Sequence, residues 1–123
     1  MAKLFTNAQR RKLLDNGTRS AEGEDIDPQP VVKLFTPDAN ATWLLTELDP
    51  EDTNRAFGLC DLGLGFPELG WVWLPELVEL RGRLGLPVER DIYFEAKAKL
   101  SEYAEAARAA QHIVENIQKG GVS

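Results

Sequence analysis

The order of apolar and polar residues in the first half of the chain predicts β-structure. Residues 31–36, Val-Val-Lys-Leu-Phe-Thr, are rich in side chains that favour strands, and residues 41–48 have the same character. The residues between them, 37–40, include Pro, Asp and Asn, which are typical of a turn. Together these segments predict a β-hairpin.

Further strands are expected at residues 55–62 and 70–74, and a short fifth strand at residues 90–95. Alternate residues of a strand share a face, so the fourth strand places Trp71 and Trp73 together. Because these strands follow one another through short turns, they predict an antiparallel meander.

Two helices are expected before and after these strands. The first covers residues 6–15, where Thr6 and Gln9 form a capping-box pattern. Asn16-Gly17 then supplies a stop signal. The second helix is expected at residues 76–83.

A third helix, near the C-terminus, is the most clearly amphipathic. Ser101 is placed to cap its N-terminus, and Gly120-Gly121 is placed to end it. Its apolar residues recur at steps of three and four: Tyr103, Ala107, Ala110, Val114 and Ile117. The chain therefore predicts an α+β fold, an antiparallel meander sheet of four to five strands packed by a C-terminal amphipathic helix and shorter helices. We expect residues 1–123 to form a single domain.

Residues 17–30 predict a loop. They contain few apolar side chains and carry the acids Glu22, Glu24, Asp25 and Asp27. Ordered loops of this length are uncommon unless they bind something. We expect a mobile acidic loop at 17–30, with a binding element as the alternative.

The chain has 20 acidic and 14 basic residues, a formal net charge of −6. This balance disfavours direct binding to DNA or to anionic lipid, because both present negative charge. A basic cluster near the N-terminus, Arg10, Arg11, Lys12 and Arg19, is a local exception, and a solvated helix face is its simpler interpretation. Runs of roughly 18 apolar residues, as a membrane helix needs, are absent. We expect no membrane contact and a cytoplasmic location.

The glycine-containing segment 61–70, Asp-Leu-Gly-Leu-Gly-Phe-Pro-Glu-Leu-Gly, does not fit a phosphate-binding loop. Such a loop needs a helix directly after the glycines, and the Walker type also needs Gly-Lys-Ser/Thr. We interpret the segment as a turn between two strands, pinned to the core by its apolar residues.

Candidate catalytic groups are few. Asp61 and Glu68 are one carboxylate pair, and Cys60 with His112 is the available Cys/His combination. We interpret Cys60 as a small core residue and His112 as a surface residue of the last helix. A single cysteine also excludes an intrachain disulfide and a multi-cysteine zinc site. We predict no catalytic residue, no metal site and no cofactor.

Three stretches of sequence carry a family resemblance. They are Lys-Leu-Phe-Thr at 3–6, Val-Val-Lys-Leu-Phe-Thr-Pro-Asp at 31–38 with Thr-Trp-Leu-Leu-Thr-Glu-Leu at 42–48, and Phe-Gly-Leu-Cys-Asp-Leu-Gly at 57–63 with Gly-Phe-Pro-Glu-Leu-Gly at 65–70. Together these resemble a bacterial family of uncharacterised single-domain proteins found on conjugative plasmids, integrative elements and phages. The resemblance implies no catalytic residues. It implies an accessory protein of a mobile element, a setting in which small acidic inhibitors of host defence occur.

The leading hypothesis is therefore a non-enzymatic accessory protein that inhibits a host defence system, anti-CRISPR or antirestriction, by binding a nuclease complex. The expected partner is a host protein or ribonucleoprotein complex with a basic surface. The candidate contact residues are Glu22, Glu24, Asp25, Asp27, Asp49, Glu51, Asp52, Phe66, Glu68, Trp71 and Trp73. The alternative is a conjugative-transfer or replication accessory protein that binds DNA or a relaxosome component. A third class, a small enzyme, would depend on Asp61 and Glu68.

Overall fold

The computed structural model describes residues 4–117, which form three helices and five strands. In chain order the elements are α1 (Asn7–Ala21), β1 (Val32–Phe35), β2 (Thr42–Asp49), β3 (Asp52–Asp61), β4 (Glu68–Trp73), α2 (Leu74–Glu79), β5 (Glu89–Arg90) and α3 (Leu100–Ala110). No helix among these is long and apolar enough to cross a membrane.

The strands form one antiparallel sheet in the order β4-β3-β2-β1-β5. Strands β1 to β4 are a meander, and the short β5 adds beside β1. The predicted fold class and the predicted hairpin are confirmed. The edges of this sheet are β4 on one side and β5 on the other. Strand β4 has 6 residues and β5 has 2, so β4 is the longer edge strand.

Helices cover both faces of the sheet. On the face that we call the α1 face, α1 packs over β2 and α2 packs against β3, and the core contains Leu13, Trp43, Leu48 and Leu77. On the opposite face, the α3 face, α3 packs over Leu44 and Leu59 through Tyr103, Ala104 and Ala107. The small side chains of Ala104 and Ala107 allow the helix to approach the sheet closely.

Helix α1 extends six residues beyond the predicted end, to Ala21. The capping box is present, since the Gln9 backbone N–H donates to Thr6 Oγ1 and the Thr6 N–H donates to Gln9 Oε1. Asn16-Gly17 does not stop the helix. Both residues are buried against β2, where Asn16 Nδ2 donates to the Thr46 carbonyl at 2.9 Å. The prediction was wrong because these residues serve a tertiary contact instead of a helix end.

Helix α3 differs from its prediction at both ends. Its N-cap is Lys99 and not Ser101. It ends at Ala110, where Gln111 takes a left-handed conformation with φ 67°, so Val114 and Ile117 lie outside the helix. The predicted stop at Gly120-Gly121 lies outside the described residues.

Helix α2 and the fifth strand both end earlier than predicted. Helix α2 ends at Glu79, four residues before the predicted end, because Arg81 instead forms a bridge with Pro87. The fifth strand is reduced to Glu89–Arg90 because the backbone turns at Asp91, whose side chain accepts the Tyr93 N–H.

Candidate protein-binding surface

The edge strand β4 exposes large apolar side chains to solvent. Leu69, Trp71 and Trp73 alternate along the α3 face, and each is exposed by more than a third. Large aromatic side chains are usually buried in a monomer, and exposed clusters of them mark interaction sites. The structure thus places two of the predicted contact residues, Trp71 and Trp73, side by side at a sheet edge.

Trp71 is held in position by its neighbours on β3. The guanidinium of Arg55 lies 4.7 Å from the centre of the Trp71 ring, and the Phe57 ring packs edge-on at 5.3 Å. Arg55 in turn pairs with the Asp49 carboxylate at 3.3 Å. Trp71 therefore has a defined orientation although its side chain is 45% exposed. A side chain ordered in advance loses less entropy when a partner binds.

The glycine loop, residues 62–67, continues this apolar surface beyond the start of β4. Leu62, Leu64 and Phe66 are all exposed, Phe66 by 78%. The expectation that they would pin the loop to the core is wrong. The loop turns through Gly63 and Gly65, whose φ values of 80° and 89° suit glycine, and its apolar side chains point outward.

A buried carboxylate orders the glycine loop. Asp61, only 4% exposed, accepts the Gly63 N–H at 2.8 Å through Oδ1. Its Oδ2 accepts the Ile113 N–H at 2.9 Å, so the same side chain also holds the segment that follows α3. Asp61 is therefore engaged by two backbone groups, and Glu68 is not one of its hydrogen-bond partners.

A second apolar loop, residues 82–86, lies at the same end of the sheet and was not predicted as part of a site. Asp38 in the β1–β2 turn accepts the N–H groups of Leu84 and Leu86 at 2.6 and 3.2 Å. The Leu84 side chain is exposed. The sequence signal for this loop was weak, because leucines that follow a predicted helix look like the continuation of its apolar face.

Some of the acidic residues predicted as partner contacts stabilise the fold, and others face solvent. Asp49 accepts the Glu51 N–H and Asp52 accepts the Asn54 N–H, so both shape the β2–β3 turn. Glu51 in that turn is exposed. Strand registers place this turn at one end of the sheet and the glycine loop at the other, since Asp49 pairs with Asp52 and Thr42 pairs with Asp61. The predicted contact residues therefore do not form one patch.

Within the predicted acidic loop, Asp27 has a structural role. Its carboxylate accepts the Ser101 N–H at 3.0 Å and the Ser101 hydroxyl, and thus caps α3 from a distant part of the chain. The neighbouring Pro28 carbonyl accepts the Leu100 N–H at 2.9 Å. Glu22, Glu24 and Asp25 are exposed, and residues 17–21 belong to α1.

We predict that Asp27→Ala lowers the free energy of unfolding by about 1 kcal/mol, as for the loss of a helix N-cap. The matched change Asp25→Ala removes the same charge from the same loop, and should change stability by less than about 0.5 kcal/mol. Urea denaturation of both variants checks this. Equal effects would contradict a capping role for Asp27.

Cys60 and His112 share no hydrogen bond in the range 4–117, where both contact backbone carbonyls. Burial raises the pKa of Cys60 to about 11, with the charge of Glu68 adding to the shift, so the thiol stays neutral at pH 7. His112 lies beyond the end of α3, where its Nδ1 is 3.1 Å from the Ile113 carbonyl. In the described part of the chain, no three His, Cys, Asp or Glu side chains are grouped so that they could hold a metal ion.

A polar cleft of about 500 Å³ lies between Asp61, His112 and the start of β2. Lys33 is the basic residue in its wall, and its ammonium pairs with Asp91 at 3.3 Å and with Glu115. A lysine held by two carboxylates is poorly placed to bind an anion. The cleft therefore has no evident chemistry of its own.

The basic residues of α1 lie on its solvent side. Arg10, Arg11 and Lys12 are exposed, and none forms an ion pair with another residue in the range 4–117. Arg19 pairs with Glu24 at 3.1 Å. Positive charge in the first half of a helix opposes the helix dipole, so the arrangement is not one that α1 requires for stability.

The fold and this surface define a small α+β protein with an exposed, ordered apolar edge. The profile of the family described as "Protein of unknown function (DUF2958)" matches residues 4–114, and the chain belongs to that family. No curated protein and no solved structure gave a significant match.

Proposed function

We propose that this protein is a non-enzymatic accessory protein of a mobile genetic element that acts in the cytoplasm by binding a host defence nuclease complex and inhibiting it. The binding part of the proposal depends on one observation: the exposed aromatic edge formed by β4 together with the glycine loop. Interfaces draw most of their free energy from a few such side chains, tryptophan above all.

The order of this surface supports a binding role. Trp71 is fixed by Arg55 and Phe57, and the glycine loop is fixed by Asp61. The protein therefore keeps large apolar groups in solvent and holds them in a fixed geometry through hydrogen bonds and ring contacts. Exposure of these apolar side chains does not stabilise a monomer, and their fixed geometry favours association.

The choice of a defence complex as the partner depends on the family resemblance and on charge. Mobile elements carry inhibitors of restriction and CRISPR nucleases, and these nucleases have basic surfaces that hold nucleic acid. The net charge of −6 and the exposed acids Glu22, Glu24, Asp25 and Glu51 suit such a partner. Asp27, Asp49 and Asp52 support the fold and contribute to this surface only indirectly.

We predict that Trp71→Ala weakens binding to the inhibited nuclease complex about 30-fold, as for the loss of an interface hot spot. The first step is a pull-down from lysates that carry restriction and CRISPR systems, at low and moderate salt, to identify the complex. DNA cleavage by the purified complex is then titrated with the wild type and the variant. Tyr93→Ala, which truncates an aromatic side chain that is 86% exposed elsewhere on the surface, is the control and should retain inhibition.

Recovery of conjugation proteins or nucleic acid alone, with no effect on any nuclease, would contradict the inhibitor proposal. The second candidate would then take precedence, a transfer or replication accessory protein that binds DNA or a relaxosome component. The exposed Arg10, Arg11 and Lys12 on α1 favour it. Gel shifts at low salt, compared with a variant in which these three residues are replaced by glutamate, distinguish the two candidates because phosphate contacts depend strongly on charge.

A further inference from the structure

Apart from Glu68 at its start, β4 lacks the features that usually protect an edge strand. Such edges are commonly guarded by charged side chains, proline or a β-bulge. Strand β4, Glu-Leu-Gly-Trp-Val-Trp, contains neither proline nor lysine, and its pairing with β3 runs without a register shift from Cys60–Glu68 to Arg55–Trp73. No strand pairs with its outer edge among residues 4–117. Its backbone groups on that side are thus open to a further strand.

A hollow of about 350 Å³ lies beside this edge, where Trp43, Val72 and Leu77 belong to the α1 face and Trp71 and Trp73 are residues of the edge strand itself. Its lining residues are Trp43, Leu62, Trp71, Val72, Trp73, Glu76, Leu77 and Leu80. All of these are apolar or aromatic except Glu76, which is exposed on α2. A strand added to β4 would point every second side chain towards the α1 face and hence into this hollow.

From these two observations we propose that β4 receives an extended strand of the partner protein, which places a lysine or arginine side chain in the hollow with its cationic group at Glu76. The inference rests on the proposed function, because the strand belongs to the partner bound there. Main-chain hydrogen bonds to β4 provide affinity, and the side-chain hollow provides selectivity. The aliphatic stem of a long basic residue can pack against the leucine and tryptophan side chains of the hollow while its charged end stays near water.

Charge distinguishes a foreign strand from a second copy of this chain. Strand β4 has one charged residue, Glu68, and it lies opposite Cys60 in the register, on the same face as Val72. Two β4 strands paired antiparallel would bring two copies of Glu68 and Glu76 to one face without a lysine or arginine from either strand. Like charges across strands are unfavourable, whereas a basic strand neutralises them.

The probe for this proposal is the labelled peptide Val-Thr-Val-Lys-Val-Thr-Val, titrated by fluorescence anisotropy against the purified full-length protein. In the comparison peptides the lysine is replaced by norleucine or by glutamate. We expect the norleucine peptide to bind about three- to fivefold more weakly, as for the loss of an exposed ion pair. The glutamate peptide should bind about tenfold more weakly or worse, since like charges then meet. A lysine peptide N-methylated at alternate residues should lose binding, because it cannot form the ladder on its methylated edge.

Two isosteric variants of α2 test the position of the cation. Glu76→Gln should reduce the affinity for the lysine peptide about three- to fivefold and leave the norleucine peptide unchanged. Glu79→Gln is the matched control, because Glu79 is exposed on the same helix and does not line the hollow, and it should change neither affinity. This double-mutant comparison isolates the contact between the peptide lysine and Glu76.

Failure of the lysine peptide to bind would overturn the inference, as would equal binding of the N-methylated peptide or equal effects of the two variants. Light scattering that shows a dimer which Trp71→Lys dissociates would assign the edge to a second copy. These results are separable from the proposed function. Nuclease inhibition without peptide binding would remove only the strand-addition proposal, whereas peptide binding without inhibition of any defence complex would remove only the proposed function.

Discussion

Gly17→Ala is expected to destabilise the protein by about 3 kcal/mol, because an added methyl group has no space. A Cβ atom at Gly17 would overlap the Leu48 carbonyl oxygen and lie 2.9 Å from its carbon, and both are backbone atoms of the central strand β2. Neither α1 nor β2 can move aside without disturbing the core around Leu13 and Leu48, which are fully buried.

The sign of this effect is informative. In an isolated helix, alanine is more favourable than glycine by about 1 kcal/mol, so local propensity alone predicts stabilisation. The control is Thr18→Ala at the next, exposed position of α1, where the same propensity should stabilise by about 0.5 kcal/mol or less. Urea denaturation of the two variants measures both. A stabilised Gly17→Ala protein would show that the close approach of α1 to β2 is absent in solution.

The second large effect is expected for Asp61→Ala, which should cost about 3 kcal/mol of stability. The carboxylate is buried and accepts two backbone N–H groups, from Gly63 and Ile113. Hydrogen bonds to a charged group contribute more than neutral ones, and the two N–H groups would be left without this acceptor. The stability of Asp61→Asn should lie between that of Asp61→Ala and that of the wild type, because the asparagine amide retains one acceptor oxygen.

Hydrogen exchange gives this prediction a local readout. The amides of Gly63 and Ile113 should exchange faster in Asp61→Ala than in the wild type after correction for global stability. Asp52→Ala is the control, since Asp52 accepts a single N–H in an exposed turn, and it should cost less than about 1 kcal/mol. Unchanged protection at both amides would show that Asp61 does not order the glycine loop, and the preformed surface argued above would lose its support.

Much of the architecture was predictable because it depends on residues close together in the chain. The capping box of Thr6 and Gln9 involves neighbouring residues, and so do the runs of strand-favouring residues in β1 and β2 and the turn between them. Short turns between successive strands determine an antiparallel meander almost without alternatives. Propensity and periodicity thus identified the sheet, its order from β1 to β4 and the presence of the three helices.

The contacts that position the candidate surface and its supporting elements join residues distant in the chain. Local sequence patterns therefore do not predict these contacts. Asn16-Gly17 has the composition of a helix stop, but β2 packs against it and the helix continues. Asp27 resembles a loop acid, yet it caps α3 at Ser101.

The sequence by itself determined that strands, helices and an aromatic pair on β4 exist. Only the tertiary structure decided that β4 is an edge, that Trp71 and Phe66 face solvent, and that the acids lie at both ends of the sheet. The physical reason is that exposure depends on which element covers a face. That is set by packing between segments far apart in the chain and not by the residues of the strand itself.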